Sequence, residues 1–238
     1  MNIINKIYLC YTKATLRTLE YLFLTSEFLS ADELAIANTL KDESQRCAYI
    51  QSHAFKRKIL SKYLSVSPAE IKFHTSQYGK PFLVTRRDTG PLFFNLSHTI
   101  GATALIVSSY ENTGIDIEKV TDRNDITLLQ NTLLHPYEMS TAYAIKDYSL
   151  QKENFFKIWV IKECFLKAAG LGLSMEPSHI RVENCGEDFF RILAADGTIQ
   201  TALIEYQQFG NFALSYTNPE RDNCGIEKFI FTGDFARY

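Results

Sequence analysis

Cysteine is sparse and scattered in this chain. Its five residues (Cys10, Cys47, Cys164, Cys185 and Cys224) are odd in number and form no C-x-x-C pair. That spacing argues against a zinc site or a disulfide framework and points to reduced thiols in a cytoplasmic protein. A G-x-x-x-x-G-K-[ST] loop and a G-x-G-x-x-G turn are both missing, and Gly170-Leu171-Gly172-Leu173 reads as a helix exit, not a phosphate loop. The five histidines lie far apart with no H-E-x-x-H, which disfavours zinc catalysis. Long apolar runs are absent too. Residues 7–11 are flanked by Lys6 and Lys13, and residues 21–29 contain Glu27, so neither a signal segment nor a membrane span is expected. A formal net charge of -2 gives no global pull towards nucleic acid or anionic membrane, so any anion site must be local.

What is present suits a folded, soluble protein. Hydrophobic residues at 46% and charged residues at 22%, with 17 Phe and 13 Tyr, can bury a sizeable core in one domain or two small ones. Ser30-Ala31-Asp32-Glu33 signals a helix start, with Ser30 as N-cap and Glu33 at the capping-box position. A second helix is expected over 44–64, with Tyr49, Ile50, His53, Ile59, Leu60, Tyr63 and Leu64 tracing one face. Its other face carries Arg46, Lys56, Arg57, Lys58 and Lys62, a run that suits a solvated surface as well as an anion-facing one. Strands are expected at 71–73, 93–96, 103–108 and 114–118, with turns at 78–81 and 88–91. Helices return at 126–133, 136–146 and 154–169, the last closed by Gly170. A strand meander follows at 180–183, 189–193, 201–207 and 212–216, with turns at 196–197 and 210–211. Each half runs helices then strands, which suggests two similar lobes.

Three stretches carry the chemistry. In Gly114-Ile115-Asp116-Ile117-Glu118, residues two apart on a strand face the same side, roughly 6.5–7 Å from one another. Asp116 and Glu118 then share one face while Ile115 and Ile117 pack on the other. Two adjacent carboxylates invite a hard divalent cation with oxygen ligands, although the motif alone also suits an edge strand with its acidic face in water. In the helix of residues 159–167, Trp159, Glu163 and Lys167 stack at i, i+4 spacing. The apolar Val160, Ile161, Phe165, Leu166 and Ala168 leave little of that helix for water, so Glu163 and Lys167 need partners, which a metal-diphosphate would supply. An exposed Glu-Lys pair worth about 0.3–0.5 kcal/mol is the plainer account. Asn95-Leu96-Ser97-His98-Thr99 reads as a small polar turn after an apolar strand. Ser97 and His98 are neighbours on an extended chain and point apart, so they cannot pair as nucleophile and base. Ser, His and backbone N–H groups at a strand end are better suited to cradling phosphate oxygens. Cys164 reads as a small core residue.

These stretches, together with Tyr78-Gly79-Lys80-Pro81 and Phe94-Asn95-Leu96-Ser97-His98, resemble the monomeric, surfactin-synthetase-activating class of 4′-phosphopantetheinyl transferases over about residues 30 to 175. The pair I-D-I-E and W-x-x-K-E-x-F-x-K carries most of that likeness. The resemblance implies an α+β fold of two pseudo-symmetric lobes, each a small, mainly antiparallel sheet packed with helices. The lobes would be 1–113 and 114–238, with the coenzyme site in the cleft between them. It implies a Mg²⁺-dependent, cytoplasmic, monomeric holo-carrier-protein synthase. Such an enzyme moves the 4′-phosphopantetheine of coenzyme A to a serine of an apo acyl or peptidyl carrier protein and releases 3′,5′-ADP, with no nucleic-acid or membrane partner.

Residue by residue, Asp116, Glu118 and Glu163 would hold Mg²⁺, and Lys167 would neutralise the diphosphate or protonate the leaving group. Ser97, His98, Lys162 and the stretch Gly79, Lys80 and Pro81 would bind the coenzyme. Glu163 or Glu138 would be the general base. The family's arginine cluster for the 3′-phosphate is thinned here: Arg46 fills one position, Cys47 and Ala48 occupy neighbours, and Lys41, His53 or Lys56 could compensate. That thinning is the one motive for a second expectation, a catalytically silent module that binds coenzyme A or a carrier protein. A magnesium-dependent phosphatase or nuclease on the same carboxylates is a third.

Overall fold

The computed structural model describes residues 5–83, 91–122, 126–194, 197, 203–221 and 226–230. The first half runs β1 (Lys6–Tyr11), α1 (Thr18–Glu27), α2 (Ala31–Thr39), α3 (Glu43–Leu64), β2 (Phe73–Thr75), β3 (Pro81–Leu83), β4 (Phe93–Thr99) and β5 (Ala102–Ser108). The second runs β6 (Ile115–Lys119), α4 (Ile126–Leu133), α5 (Pro136–Ala144), α6 (Tyr148–Ala169), β7 (Arg181–Asn184), β8 (Phe189–Leu193), β9 (Ile204–Phe209), β10 (Phe212–Thr217) and β11 (Ile226–Ile230).

Local chemistry sets these boundaries. Ser30 and Glu33 form the expected capping box at the start of α2. Asp42 accepts from Gln45 N at 2.8 Å and opens α3, while Asp147 accepts from Leu150 N at 3.0 Å and opens α6. Gly170 closes α6 in the left-handed region at φ 67°. With Asp147 as its cap, α6 begins at Tyr148, six residues ahead of the expected helix start, and so gains more than a turn. Four elements were not expected: β1, α1, β3 and β11. The supposed turn after Leu96 is also strand, with β4 running through Ser97 and His98 to Thr99. The expected turns at 88–91 and 196–197 fall largely outside the described residues.

The architecture is α+β. A four-stranded sheet has the order β11-β1-β5-β4, with β11 parallel to β1 and the other pairs antiparallel. An antiparallel five-stranded sheet has the order β6-β10-β9-β8-β7, and β2 and β3 make a separate hairpin. Alternation along each strand divides the core into three clusters. Tyr8, Cys10, Phe94, Leu105 and Val107 face α1 and α3 on one side of the first sheet. Ile7, Leu9, Ala104 and Ile106 face Ile115, Ile117, Leu214 and Tyr216 of the second sheet on the other. Ile192, Ile204 and Ala213 of the second sheet pack with Phe155, Ile161 and Phe165 of α6. The layers thus run helix, sheet, sheet, helix.

α6 lies unusually close to β6, and one glycine makes that possible. A Cβ on Gly114 would sit 2.2 Å from the Cys164 carbonyl oxygen and 2.8 Å from Ala168 Cβ. This contact brings the acidic strand β6 under the charged face of α6.

Candidate active site where the two sheets meet

β6 is the end strand of its sheet, so alternate N–H groups along its outer edge lack a neighbouring strand. Side chains of β4 take the place of that strand. Asn95 Oδ1 accepts from Ile115 N at 3.2 Å, Ser97 Oγ from Ile117 N at 3.4 Å, and Thr99 Oγ1 from Lys119 N at 3.3 Å. The constant offset of β4 and β6 positions makes this a ladder of side chains in register. Two rungs also donate to carboxylates: Ser97 Oγ to Asp116 Oδ1 at 2.7 Å, and Thr99 Oγ1 to Glu118 Oε2 at 3.0 Å.

α6 supplies the charges opposite. Lys167 Nζ lies 2.5 Å from Asp116 Oδ1 and 2.8 Å from Ser97 Oγ. Burial disfavours the lysine's charge, but Asp116 outweighs burial and holds its pKa above the ordinary lysine value. Lys167 is therefore a fixed ammonium at neutral pH. Glu163, one turn earlier, is pushed upward by burial and by the Asp116 charge, against the pull of Lys167. Asp116 Oδ2 is buried and has no hydrogen-bond partner. A buried carboxylate oxygen left unsatisfied is costly unless something engages it. Here Ser97 and Lys167 both engage Oδ1 and leave Oδ2 to other ligands.

Asp116, Glu118, Glu163, Lys167 and Ser97 are thus gathered along one seam. Among the described residues, however, no three of His, Cys, Asp and Glu stand ready as a metal-holding set. Ser97 departs from the phosphate-cradling expectation. It is buried, and its hydroxyl donates once and accepts twice within the seam. His98, the next residue of β4, alternates to the other side of the strand and is exposed at the level of the whole residue. Partial desolvation of its ring and the Lys167 charge depress its pKa, against Asp116.

Lys162 and Glu138 are not brought to this group. Lys162, fully buried, donates to Leu133 O at 2.8 Å and Pro177 O at 2.9 Å and pairs with Glu138 Oε2 at 2.6 Å. Glu138 also accepts from His135 N and Val182 N, at 2.8 and 2.7 Å. All three lysine protons and both carboxylate oxygens are therefore engaged in tying α5 and α6 to β7. In this structure Lys162 and Glu138 serve as a buried tie, apart from the seam where coenzyme contact and proton transfer were expected of them. A buried, saturated ion pair has no signature in sequence that separates it from a functional one.

Arg46 donates to the Leu40 carbonyl at 3.1 Å, beyond the end of α2. Much of the basic set of α3 is withdrawn from solvent: Lys56, Arg57 and Lys58 are buried, while Lys62 is exposed. Glu33 gathers His53 Nδ1 at 2.8 Å, Lys56 Nζ at 3.0 Å and Arg57 Nε. Burial alone would raise the Glu33 carboxyl, but His53 and the two cations hold it far below the usual carboxylate range. Gly79 takes the left-handed conformation (φ 86°) in the β2–β3 turn. Lys80 donates to Ala168 O at 2.6 Å and Thr113 O at 3.3 Å, anchoring that turn to the end of α6. Beside it opens a cavity of about 540 Å³ lined by Tyr78, Lys80, Phe82, Phe93, Glu111 and Gly170, among others.

Residues 112–217 match the model of the 4′-phosphopantetheinyl transferase superfamily. Over 146 residues the chain is 35% identical to the 4′-phosphopantetheinyl transferase HetI of Nostoc sp., covering 61% of each chain. It is 29% identical over 172 residues to a 4′-phosphopantetheinyl transferase of Bacillus subtilis, covering 72% of this chain and 74% of that one. It is 32% identical over 120 residues to the 4′-phosphopantetheinyl transferase Sfp of Bacillus subtilis strain 168, covering half of each. The likeness thus spans between half and three quarters of these relatives, and less than two thirds of the first.

Proposed function

We propose, from the match of residues 112–217 to the 4′-phosphopantetheinyl transferase superfamily, that this protein transfers the 4′-phosphopantetheine group of coenzyme A to a serine of an apo acyl or peptidyl carrier protein, releasing 3′,5′-ADP. The observation that carries the reading is the seam itself. Asp116 presents a free buried oxygen, Lys167 a fixed positive charge, and Glu163 a carboxylate of raised proton affinity, all within reach of one another's fields.

In the reaction, the carrier serine oxygen bonds to the β-phosphorus of coenzyme A while the bond from that phosphorus to the bridging oxygen of 3′,5′-ADP breaks. Positioning and charge stabilisation dominate such transfers. Glu163, one turn before Lys167 on α6, is the carboxylate we assign as proton acceptor for the serine hydroxyl. Lys167 suits charge neutralisation at the diphosphate better than proton donation, because Asp116 strengthens its hold on the proton. The cavity beside Lys80 suits the nucleotide end of the coenzyme, next to the turn of Gly79, Lys80 and Pro81, and His98 suits one of its phosphates.

The donor set fits Mg²⁺: hard carboxylate oxygens of Asp116, through Oδ2, with Glu118 and Glu163 would hold it. When bound, the ion supplies Lewis-acid polarisation of the diphosphate. We further propose a monomeric, cytoplasmic enzyme whose lobes divide near residue 113, with β11 returning to the first sheet and the coenzyme between the lobes. The near-neutral net charge of -2 supports a reading without a nucleic-acid or anionic-membrane partner. No described helix is long and apolar enough to cross a membrane. Incubation with coenzyme A, Mg²⁺ and a panel of apo-carriers, read by intact-mass spectrometry, tests the reading. Pantetheinylated carrier is expected. A folded protein that modifies no carrier, yet binds one or binds coenzyme A, would identify a silent binding module in its place.

A further inference from the structure

Thr99 closes the polar stretch 95–99 without a role of its own assigned there, and it occupies the third rung of the side-chain ladder. Its Oγ1 accepts from Lys119 N at 3.3 Å and donates to Glu118 Oε2 at 3.0 Å. Ser97 repeats the pattern one rung back, with Ile117 N and Asp116. In each case one hydroxyl grips the backbone of β6 and the carboxylate that precedes the gripped residue. A hydroxyl held on one side by a backbone donor has its own proton aimed at the remaining acceptor. Its carboxylate is then fixed relative to the strand that carries it. Glu118 is half-exposed at the end of β6, where fixing a long, flexible side chain in one rotamer has an entropic cost.

We propose that Thr99 is a positioning residue: it holds the Glu118 carboxylate in place to receive the divalent cation alongside Asp116. The inference rests on the transferase reading for its context, but its physical content is a claim about cation affinity. Partners that hydrogen-bond a ligating carboxylate raise metal affinity by roughly 10–100-fold. The ladder also explains why a β-branched hydroxyl suits this rung, since restricted χ1 freedom keeps Oγ1 aimed at β6.

The test compares the parent protein with Thr99→Val, which keeps the shape and removes the hydroxyl, and Thr99→Ser, which keeps the hydroxyl. Mn²⁺ is titrated by electron paramagnetic resonance in the presence of coenzyme A. The Mg²⁺ concentration giving half-maximal carrier modification and the melting temperature are measured alongside. Thr99→Val is expected to weaken Mn²⁺ binding and raise the Mg²⁺ requirement by on the order of 10-fold, and Thr99→Ser to stay near the parent. A Thr99→Val protein with a lower melting temperature but unchanged Mn²⁺ affinity would show that Thr99 only satisfies Lys119 N, and would overturn the inference. Should Thr99→Val fail to fold, Thr99→Ala, smaller and equally without a hydroxyl, answers the same question. A parent protein that binds no Mn²⁺ overturns the inference as well. A parent that binds Mn²⁺ but modifies no carrier overturns the transferase reading, and the Mn²⁺ affinities then decide on Thr99 alone.

Discussion

At the residue scale, the charges of the seam act in opposite directions: Asp116 favours the Lys167 ammonium and disfavours an ionised Glu163. Glu163 binds its proton more tightly in the fold than in the unfolded chain, because burial and Asp116 disfavour its charge. A raised carboxyl pKa contributes stability below the unfolded value and loses it as pH rises through the folded one. At pH 7 the ionised Glu163 therefore destabilises the fold. Glu163→Gln is expected to raise the melting temperature at pH 7 with chelator present, by roughly 2–4 °C per kcal/mol released in a chain of this size, while abolishing transfer. The gain should fade as pH falls towards about 4, where the parent carboxyl is protonated in both states. An unchanged melting temperature at pH 7 would contradict the burial argument. Lys167→Met removes the ammonium beside Asp116 Oδ1, and transfer is expected to fall by on the order of 100-fold or more. Lys167→Arg should recover part of the rate, as steady-state kinetics on a carrier would show.

Element by element, the sequence was legible wherever periodicity or a cap dictated local structure. The Ser30-Glu33 capping box, the α3 stripe and the Gly170 exit all lie where residue spacing placed them. What escaped was tertiary. β1 is a short apolar stretch that pairs with β5 and β11, partners far away in sequence. α1 leaves Leu19 and Leu22 exposed and so lacks a clean amphipathic stripe. The basic face of α3 read equally as solvated, because the carboxylate that compensates it, Glu33, sits on another helix where it was visible only as a cap. Glu33→Gln keeps much of the cap but leaves Lys56 and Arg57 buried without their counter-charge. Urea unfolding should show a loss of about 3–5 kcal/mol, and a loss no larger than that of a surface substitution would contradict the buried cluster. Gly114 carried no readable signal beyond opening a strand, yet it sets the α6–β6 distance. Gly114→Ala is expected to destabilise the fold by about 1–3 kcal/mol and to lower transfer further than that loss of folded protein explains. Equal activity per folded molecule would show that the close approach is not needed by the site.

For the molecule as a whole, the acidic strand and the later helix were expected to meet, and the structure brings them together across a seam between two sheets. The join is made by Asn95, Ser97 and Thr99 in place of backbone pairing, a device invisible in sequence because polar residues two apart on a strand also mark an ordinary solvent face. The same join places Ser97, read from sequence as a phosphate ligand, between Asp116 and Lys167. The account stands on that seam acting as a phosphoryl-transfer site. Its most direct test is the intact mass of apo acyl and peptidyl carrier proteins after incubation with this protein and coenzyme A, with Mg²⁺ or with chelator. The account predicts that at least one carrier gains the phosphopantetheine arm on its serine with Mg²⁺ and not with chelator, and that Asp116→Asn loses the reaction. A folded protein that leaves every carrier at its apo mass, or an Asp116→Asn variant that transfers at the parent rate, would contradict it.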